Sequence, residues 1–212
     1  AALRPRAASV GIRIVDGRPT ATILQAAQSW SADLILVGSS GRGVLSRAIL
    51  GSVSDDVVRA APCPVLVAKR RVVRFERMLV ATDGSLHAEA AIRFVAGLPV
   101  PPTTDLRVCS VSEMPDLVPL PSPPPSGDRR AAMQLLLAET EKRAAIRAVT
   151  KALGILAALS CPIQSNVRHG DAGRELADEV YRWVPDLLVL GARGRTARNN
   201  VTLGRVTESL LR

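Results

Sequence analysis

The sequence predicts an α/β fold in which helices wind around parallel sheets in two related units. Short aliphatic runs such as residues 34–37 have the length and β-branching of a strand buried on both faces of a sheet. Aromatic residues make up only 2% of the 212 residues, so Ala, Val, Leu and Ile must build the core, as in helix-covered parallel sheets. A long internal repeat indicates that the chain holds two such units.

The internal repeat is centred on residues 33–54, which read DLILVGSSGRGVLSRAILGSVS. Residues 186–207 read DLLVLGARGRTARNNVTLGRVT and align with the first copy without a gap, 153 positions further on. The match extends upstream, where Gly17 aligns with Gly170 and Trp30 with Trp183. Agreement at so many glycines and at both tryptophans in one register predicts two homologous units.

In the first unit the residue pattern predicts the order β-α-β-α-β. The expected strands are Val10–Val15, residues 34–37 and Val65–Ala68. The expected helices run from about Thr20 to Ser31, with Pro19 in the first turn, and from about Val53 to Ala60. The first helix carries apolar residues at helical spacing, which are Ile23, Leu24, Ala27 and Trp30.

The second unit shows a longer alternation of strands and helices, interrupted by a proline-rich loop at residues 114–126 that no regular element can cross. The expected strands are Met78–Ala81, Leu106–Val111, Ile163–Arg168 and Leu187–Leu190. The expected helices are Ser85–Ala96, about Asp128–Leu156 and Arg174–Trp183, and the chain ends within or just after a last helix.

Glycines follow the aliphatic run of each repeat at places where the backbone must turn sharply. They allow main-chain N–H groups to approach an anion closely, and the N-terminus of the next helix adds a partial positive charge. The repeated stretch therefore predicts a phosphate cradle. The alternative interpretation is a tight turn between strand and helix in a fold that holds no ligand.

The spacing G-x2-G-x9-G-(S/T) at Gly38, Gly41, Gly51 and Ser52 resembles the nucleotide motif of the universal stress protein family. Residues 78–85, MLVATDGS, resemble that family's first strand and adenine-side aspartate, and residues 62–67, PCPVLV, resemble its last strand. The resemblance covers nearly the whole chain. It implies a doubly wound parallel five-stranded sheet of order 3-2-1-4-5, as in adenine nucleotide alpha hydrolases, in two tandem units.

Against that family pattern, residues 1–70 correspond to the C-terminal half of a first unit. Residues 71–76 form a basic linker, and residues 77–212 form a second unit that lacks its last strand. Family elements are therefore missing at both ends of the sequence. We expect the native protein to contain the missing segments, without which the first unit has no adenine-side aspartate.

The resemblance also implies roles for individual residues of the second unit. Gly191 and Gly194 would meet the ribose and first phosphates, and Gly204 with Val206 would meet the later phosphates through main-chain N–H groups. Arg205 stands where the family pattern expects Ser or Thr; it could pair with a phosphate, but it removes a small hydroxyl. In the first unit the resemblance assigns the phosphates to Gly38, Gly41, Gly51, Ser52 and Ser54.

Asp83 lies at the carboxyl end of its predicted strand, where open α/β sheets bind ligands. By resemblance it would meet the adenine or ribose, or help to hold a metal ion near the phosphates. The alternative is an aspartate that stabilises the Asp-Gly-Ser turn. Ala81 and Val111, at the ends of two neighbouring strands, would then line the adenine pocket.

Composition weighs against several other classes of protein. The net charge of +9 raises the possibility of nucleic-acid binding, but the arginines are scattered and aromatic residues that could stack on bases are scarce. Three scattered cysteines argue against a disulfide framework and a zinc site. The sequence shows no apolar run of membrane-spanning length and no signal peptide, so we expect a cytoplasmic protein with no membrane partner.

Catalysis has little support in the sequence. His87 and His169 stand in no triad or metal-ligand spacing, and the chain has no Walker G-x-x-x-x-G-K-[ST] motif. We expect no enzyme beyond at most weak ATPase activity. The predicted function is a stress-response regulator or sensor that binds ATP, AMP or ADP, with or without Mg²⁺, and that forms a homodimer or pairs its tandem units. The alternative is a tandem scaffold or dimerisation module that binds no nucleotide.

Overall fold

The computed structural model of the chain describes residues 9–39, 50–70, 72, 75–113, 129–195 and 203–211. The chain divides into two compact units, one within residues 1–74 with the last two residues and one within residues 75–210. In chain order the elements are α1 (Pro19–Ser29), β1 (Ile35–Gly38), α2 (Ser52–Ala60), β2 (Val65–Ala68), β3 (Arg77–Ala81), α3 (Leu86–Ala96), β4 (Asp105–Ser112), α4 (Arg129–Leu156), β5 (Ile163–His169), α5 (Ala172–Trp183), β6 (Leu187–Val189) and α6 (Arg205–Leu211). Among these helices, none is long and apolar enough to cross a bilayer.

The second unit is built on a parallel four-stranded sheet of order β5-β4-β3-β6. In its register Val80 of β3 lies opposite Val108 of β4 and Val189 of β6. The inner strand β3 is buried along nearly its whole length, which explains why it reads as a continuous aliphatic run. The predicted α/β class with parallel sheets is confirmed. The five-stranded order 3-2-1-4-5 stays a prediction.

Helices cover both faces of this four-stranded sheet. On one face α3 and α4 pack against the inner strands in an apolar cluster that includes Val80, Val108 and Leu156, all fully buried. On the other face α5 and α6 pack around Leu79 and Leu176. Successive residues of β3 therefore contribute to opposite cores, as the period of two along a strand requires.

Cys109 of β4 belongs to the cluster that α5 and α6 cover, and its side chain is fully buried. Burial, with the negative charge of the nearby Glu179, raises the pKa of the Cys109 thiol to about 12. The thiol is therefore protonated at neutral pH and packs as a small apolar group.

The first unit holds a two-stranded parallel sheet in which Ile35 of β1 lies opposite Val65 of β2. Helices α1 and α2 pack on one face of this sheet around a small core of Ala27, Ile35 and Val57. The strand β2 has the predicted bounds, Val65–Ala68. Among the described residues, three buried apolar side chains form this core, compared with ten in the α3 and α4 cluster of the second unit.

Three expectations for the first unit are wrong. Residues 10–15 form no strand, and Val10, Ile12 and Ile14 are exposed. A strand needs a neighbour for its main-chain hydrogen bonds, and the sheet described in this unit contains only β1 and β2. Leu36 is 64% exposed because both helices pack on the opposite face of β1. Trp30 is 85% exposed because α1 ends at residue 29, which places Trp30 beyond the packed part of the helix.

A buried ion-pair network attaches α5 to the sheet of the second unit. Glu179, only 4% exposed, accepts hydrogen bonds from Arg107 of β4 at 2.7 Å and from Arg168 of β5 at 2.9 Å. Arg168 also donates to Glu175 at 2.7 Å, and the Arg107 guanidinium stacks over the Trp183 ring at 4.2 Å. Burial alone would raise the pKa of Glu179, but the two arginines outweigh it and hold that pKa below its usual range.

Replacing Leu156 with Ala should lower the free energy of unfolding of the second unit by about 2–5 kcal/mol, because the removed side chain is fully buried and leaves a cavity. The matched control is Leu135→Ala on the same helix, where a 67% exposed side chain should cost less than about 0.5 kcal/mol. Urea denaturation followed by Trp183 fluorescence in a Trp30→Phe background reports the second unit alone. Equal losses in the two variants would contradict the packing of α4.

Replacing Glu179 with Gln should lower stability at pH 7 by about 3 kcal/mol, because Arg107 and Arg168 lose their shared buried carboxylate. The folded-state pKa of Glu179 lies below its unfolded value, so the stabilisation is present above about pH 4.3 and is lost as the pH falls through the folded pKa. The difference in melting temperature between wild type and variant should therefore shrink in acid.

The control for this pH series is Glu139→Gln, which removes the same charge from an exposed pair with Arg143 on α4. Its melting temperature should follow that of the wild type at every pH, because exposed pairs contribute little. A Glu179→Gln difference that does not change between pH 7 and pH 3 would contradict the titration assigned to this carboxylate.

Candidate functional site

The glycine loop of the second unit, residues 191–195, follows β6 and is tied to the start of α6. The Gly204 N–H donates to the Ala192 carbonyl at 2.9 Å, and the Thr207 hydroxyl donates to the Gly191 carbonyl at 2.8 Å. These two bonds join the start of α6 to the residues that follow β6. The loop and the first turn of α6 are thus held next to each other.

The first unit contains the same two bonds, displaced along the sequence by the repeat. The Gly51 N–H donates to the Ser39 carbonyl at 2.7 Å, and the Ser54 hydroxyl donates to the Gly38 carbonyl at 2.6 Å. Ser54 therefore uses its hydroxyl to hold the loop, a contact that the sequence analysis did not foresee. Ser52 is the first residue of α2, directly after Gly51, while Gly41 lies outside the described residues.

Asp83 joins the turn after β3 to the glycine loop. Its Oδ1 accepts the Ser85 N–H at 2.9 Å, and its Oδ2 accepts the Arg195 N–H at 2.8 Å. Ser85 caps α3 by accepting the Ala88 N–H, and its hydroxyl donates to the Arg193 carbonyl at 3.2 Å. One aspartate and one serine thus attach the glycine loop to the start of α3.

The glycines of the loop meet two different steric demands. A Cβ at Gly191 would lie 2.6 Å from the main-chain nitrogen of Ala88, so any side chain there collides with the backbone of α3. A Cβ at Gly194 would lie 2.9 Å from Oδ2 of Asp83. Gly191 is therefore needed for packing the loop, whereas Gly194 leaves room for an anionic oxygen next to the main chain.

Three arginines lie in the loop or next to it, and their environments differ. Arg193 Nη1 lies 3.1 Å from His87 Nε2, and Arg195 Nη2 donates to Glu141 of α4 at 2.7 Å. Arg205 is exposed at the first position of α6. Arg195 was not among the predicted site residues, although Arg42 matches it in the aligned repeat and could have pointed to it.

The apolar residues assigned to the site are brought together on one face of the sheet. Ala81 and Val111 are both buried in the cluster under α5 and α6, and Val206 packs against the same cluster. Ala81 ends β3, two residues before Asp83. Asp83, Gly191 and Gly194 therefore lie where β3 and β6 end, which is the edge at which parallel sheets bind ligands, whereas Val111 lies on β4.

The described ranges contain no group of three or more His, Cys, Asp or Glu side chains that could hold a metal ion. Asp83 could contribute one carboxylate, but both of its oxygens accept main-chain N–H groups. Magnesium bound with a nucleotide commonly takes only one or two protein carboxylates, with water and phosphate as its other ligands. Each carboxylate oxygen can accept more than one bond, so Asp83 can contribute to such a site while it keeps these two.

Comparisons of the chain with known proteins give one family. The model of the universal stress protein family matches residues 1–69 and 74–212. A universal stress protein of Thermus aquaticus is 48% identical over 56 residues, which cover 26% of this chain and 41% of that protein. A universal stress protein of Mycobacterium tuberculosis H37Rv is 38% identical over 91 residues, which cover 41% of this chain and 30% of that protein. The chain spans less than half the length of these relatives.

Solved structures of this family share the fold. UspA from Lactobacillus plantarum superposes with a TM-score of 0.53 at 20% identity, covering 66% of this chain and 92% of that one. A universal stress protein from Archaeoglobus fulgidus gives a TM-score of 0.58 at 23% identity, covering 92% of this chain and 63% of that one.

Replacing Gly191 with Ala should lower the free energy of unfolding of the second unit by about 1–3 kcal/mol, because the new methyl group collides with the main chain of α3. The matched control is Gly154→Ala within α4, where a Cβ meets nothing within 4 Å and helix propensity should add up to about 1 kcal/mol. Thermal melting by circular dichroism measures both. A Gly191→Ala protein as stable as Gly154→Ala would mean that the loop is not seated on α3.

Proposed function

The chain belongs to the universal stress protein family, and from this we propose that its second unit binds ATP or a related adenine nucleotide. Through that ligand the protein acts as a regulator or sensor of the stress response in the cytoplasm. The protein forms a homodimer or pairs its tandem units.

The observation that carries the proposal is the contact between Asp83 and the main chain after Gly194. An anionic oxygen lies 2.8 Å from the Arg195 N–H, which is the kind of bond that a phosphate oxygen makes with a glycine-rich loop. The close approach depends on the absence of a side chain at Gly194. We therefore assign Gly194, and Gly204 beside it, to the phosphates.

The nucleoside would lie on the neighbouring strand ends. By the family resemblance the adenine ring would lie at the strand ends of Ala81 and Val111, whose side chains are themselves buried under α5 and α6. Asp83 would supply acceptors for a ribose hydroxyl or a ring amine. Gly191 would allow the loop to pack against α3, and Val206 would donate its main-chain N–H to a phosphate. The first unit would supply a phosphate half-site of Gly38, Gly41, Gly51, Ser52 and Ser54.

We propose that hydrolysis is slow or absent. Arginine side chains surround the loop, and a guanidinium cannot accept a proton to activate water. The one nearby imidazole, His87, faces the Arg193 guanidinium through Nε2, so its lone pair is engaged. Magnesium, where bound, would neutralise phosphate charge with Asp83 as its protein ligand.

The alternative is a scaffold that pairs units and binds no nucleotide. It is favoured by the two main-chain N–H bonds that Asp83 already accepts and by Arg205 in place of a small hydroxyl. Under this alternative the glycine loop is a structural connection, and its bond to Asp83 is never replaced by a ligand.

Calorimetric titration of ATP with Mg²⁺ tests the proposal. We expect binding with a dissociation constant of roughly 1–100 μM. Gly194→Val should weaken it by at least about tenfold, because the side chain fills the space for the phosphate oxygen. The matched control is Gly154→Val, which adds the same side chain at an open helical position and should bind like the wild type. No heat from the wild type would favour the scaffold, with Arg205→Ser as the next variant to titrate.

A further inference from the structure

The main-chain N–H and the guanidinium of Arg195 each donate a hydrogen bond to a carboxylate. Its main-chain N–H donates to Asp83 Oδ2 at 2.8 Å, and its guanidinium Nη2 donates to Glu141 Oε2 at 2.7 Å. The two carboxylates come from separate elements, the turn after β3 and the helix α4. Two negative groups from different parts of the second unit thus converge on one residue of the glycine loop.

These carboxylates satisfy the donors that an anionic ligand would use. Bonds of N–H and guanidinium groups to carboxylate oxygens have the same chemistry as their bonds to phosphate oxygens. A chain of phosphates offers several oxygens and can replace both carboxylates at once. The Arg195–Glu141 pair is 39% and 31% exposed, so a ligand from solvent can reach it.

The position of Asp83 does not depend on Arg195. Its other oxygen accepts the Ser85 N–H, which fixes the carboxylate in the turn after β3. Gly194 then allows this oxygen to come close to the loop, since a Cβ there would lie 2.9 Å away. The Ser85 N–H can therefore keep the Asp83 carboxylate in the turn when its bond to the loop is broken.

We propose that Arg195 is the residue that binds the phosphate chain in the second unit, and that Asp83 and Glu141 are internal anions that the ligand displaces. This inference deepens the proposed nucleotide-binding function and rests on it. On binding, one phosphate oxygen takes the place of Asp83 at the main-chain N–H, and another takes the place of Glu141 at the guanidinium. Because the free loop must first give up its own contacts, the two carboxylates lower the apparent affinity.

The test is titration with tripolyphosphate, a ligand without adenine or ribose. Asp83→Asn keeps an oxygen for the Ser85 N–H but loses the negative charge, and it should tighten tripolyphosphate binding by about tenfold. Glu141→Gln should tighten it about two- to fivefold, because this pair is exposed. The matched control, Glu139→Gln, removes the same charge from the same helix but from a pair with Arg143, and should change nothing.

A double-mutant cycle separates the role of Arg195 from a general effect of charge. Arg195→Gln should weaken tripolyphosphate binding by at least about fivefold, because it removes the guanidinium. In the Arg195→Gln background, Glu141→Gln should have no further effect. Thermal melting of every variant shows whether it is folded, and if Asp83→Asn does not fold, the exposed Glu141 and Arg195 variants still carry the test.

The outcomes distinguish this inference from the function on which it rests. If the wild type binds ATP but neither Asp83→Asn nor Glu141→Gln tightens tripolyphosphate binding, the inference is overturned and the nucleotide function stands. A gain in Glu139→Gln equal to that in Glu141→Gln overturns it, as does an absence of tripolyphosphate binding in all variants. If the variants behave as expected but ATP binds no more tightly than tripolyphosphate, the result supports the inference and contradicts the proposed adenine site.

Discussion

The Asp83 carboxylate holds together the two connections that leave the sheet of the second unit side by side. It accepts one N–H from the turn after β3 and one from the loop after β6. These strands are neighbours, yet the first leads to α3 on one face and the second leads towards α6 on the other. Adjacent strands whose connections diverge leave a crevice at their carboxyl ends. The Asp83 carboxylate, with the Ser85 hydroxyl and the close packing of Gly191, holds the two connections together at that point.

Both copies of the repeat keep the hydrogen bonds that close the glycine loop. Gly51 and Gly204 donate to matching carbonyls, and Ser54 and Thr207 donate to matching glycines, so each unit closes its loop in the same way. The second unit adds the aspartate, the buried network around Glu179 and two apolar cores. The family model matches both copies, whereas the contact between an aspartate and the glycine loop is described only in the second.

Much of this architecture was readable from the sequence because it depends on local pattern. An aliphatic run placed β2 at its observed bounds, and the glycine spacing indicated the turn that follows β6. Burial was harder to predict: Leu36, Trp30 and residues 10–15 have apolar sequences but are exposed, since burial depends on what packs against a residue. The partners of Arg195 lie 54 and 112 positions away in sequence, and no short-range pattern indicates such pairs. The site was therefore predicted with Arg205 as its arginine and without Arg195.

The burial of Cys109 has a consequence for oxidant chemistry. Peroxides and disulfides react with the thiolate form of cysteine, and a thiol with a pKa of about 12 supplies almost none of it at neutral pH. Its side chain is also closed to solvent between the sheet and α5. Hydrogen peroxide should therefore leave Cys109 unmodified as long as the second unit stays folded. Oxidation of this sulfur would report that the unit has opened, and it would not serve as a redox signal of the native state.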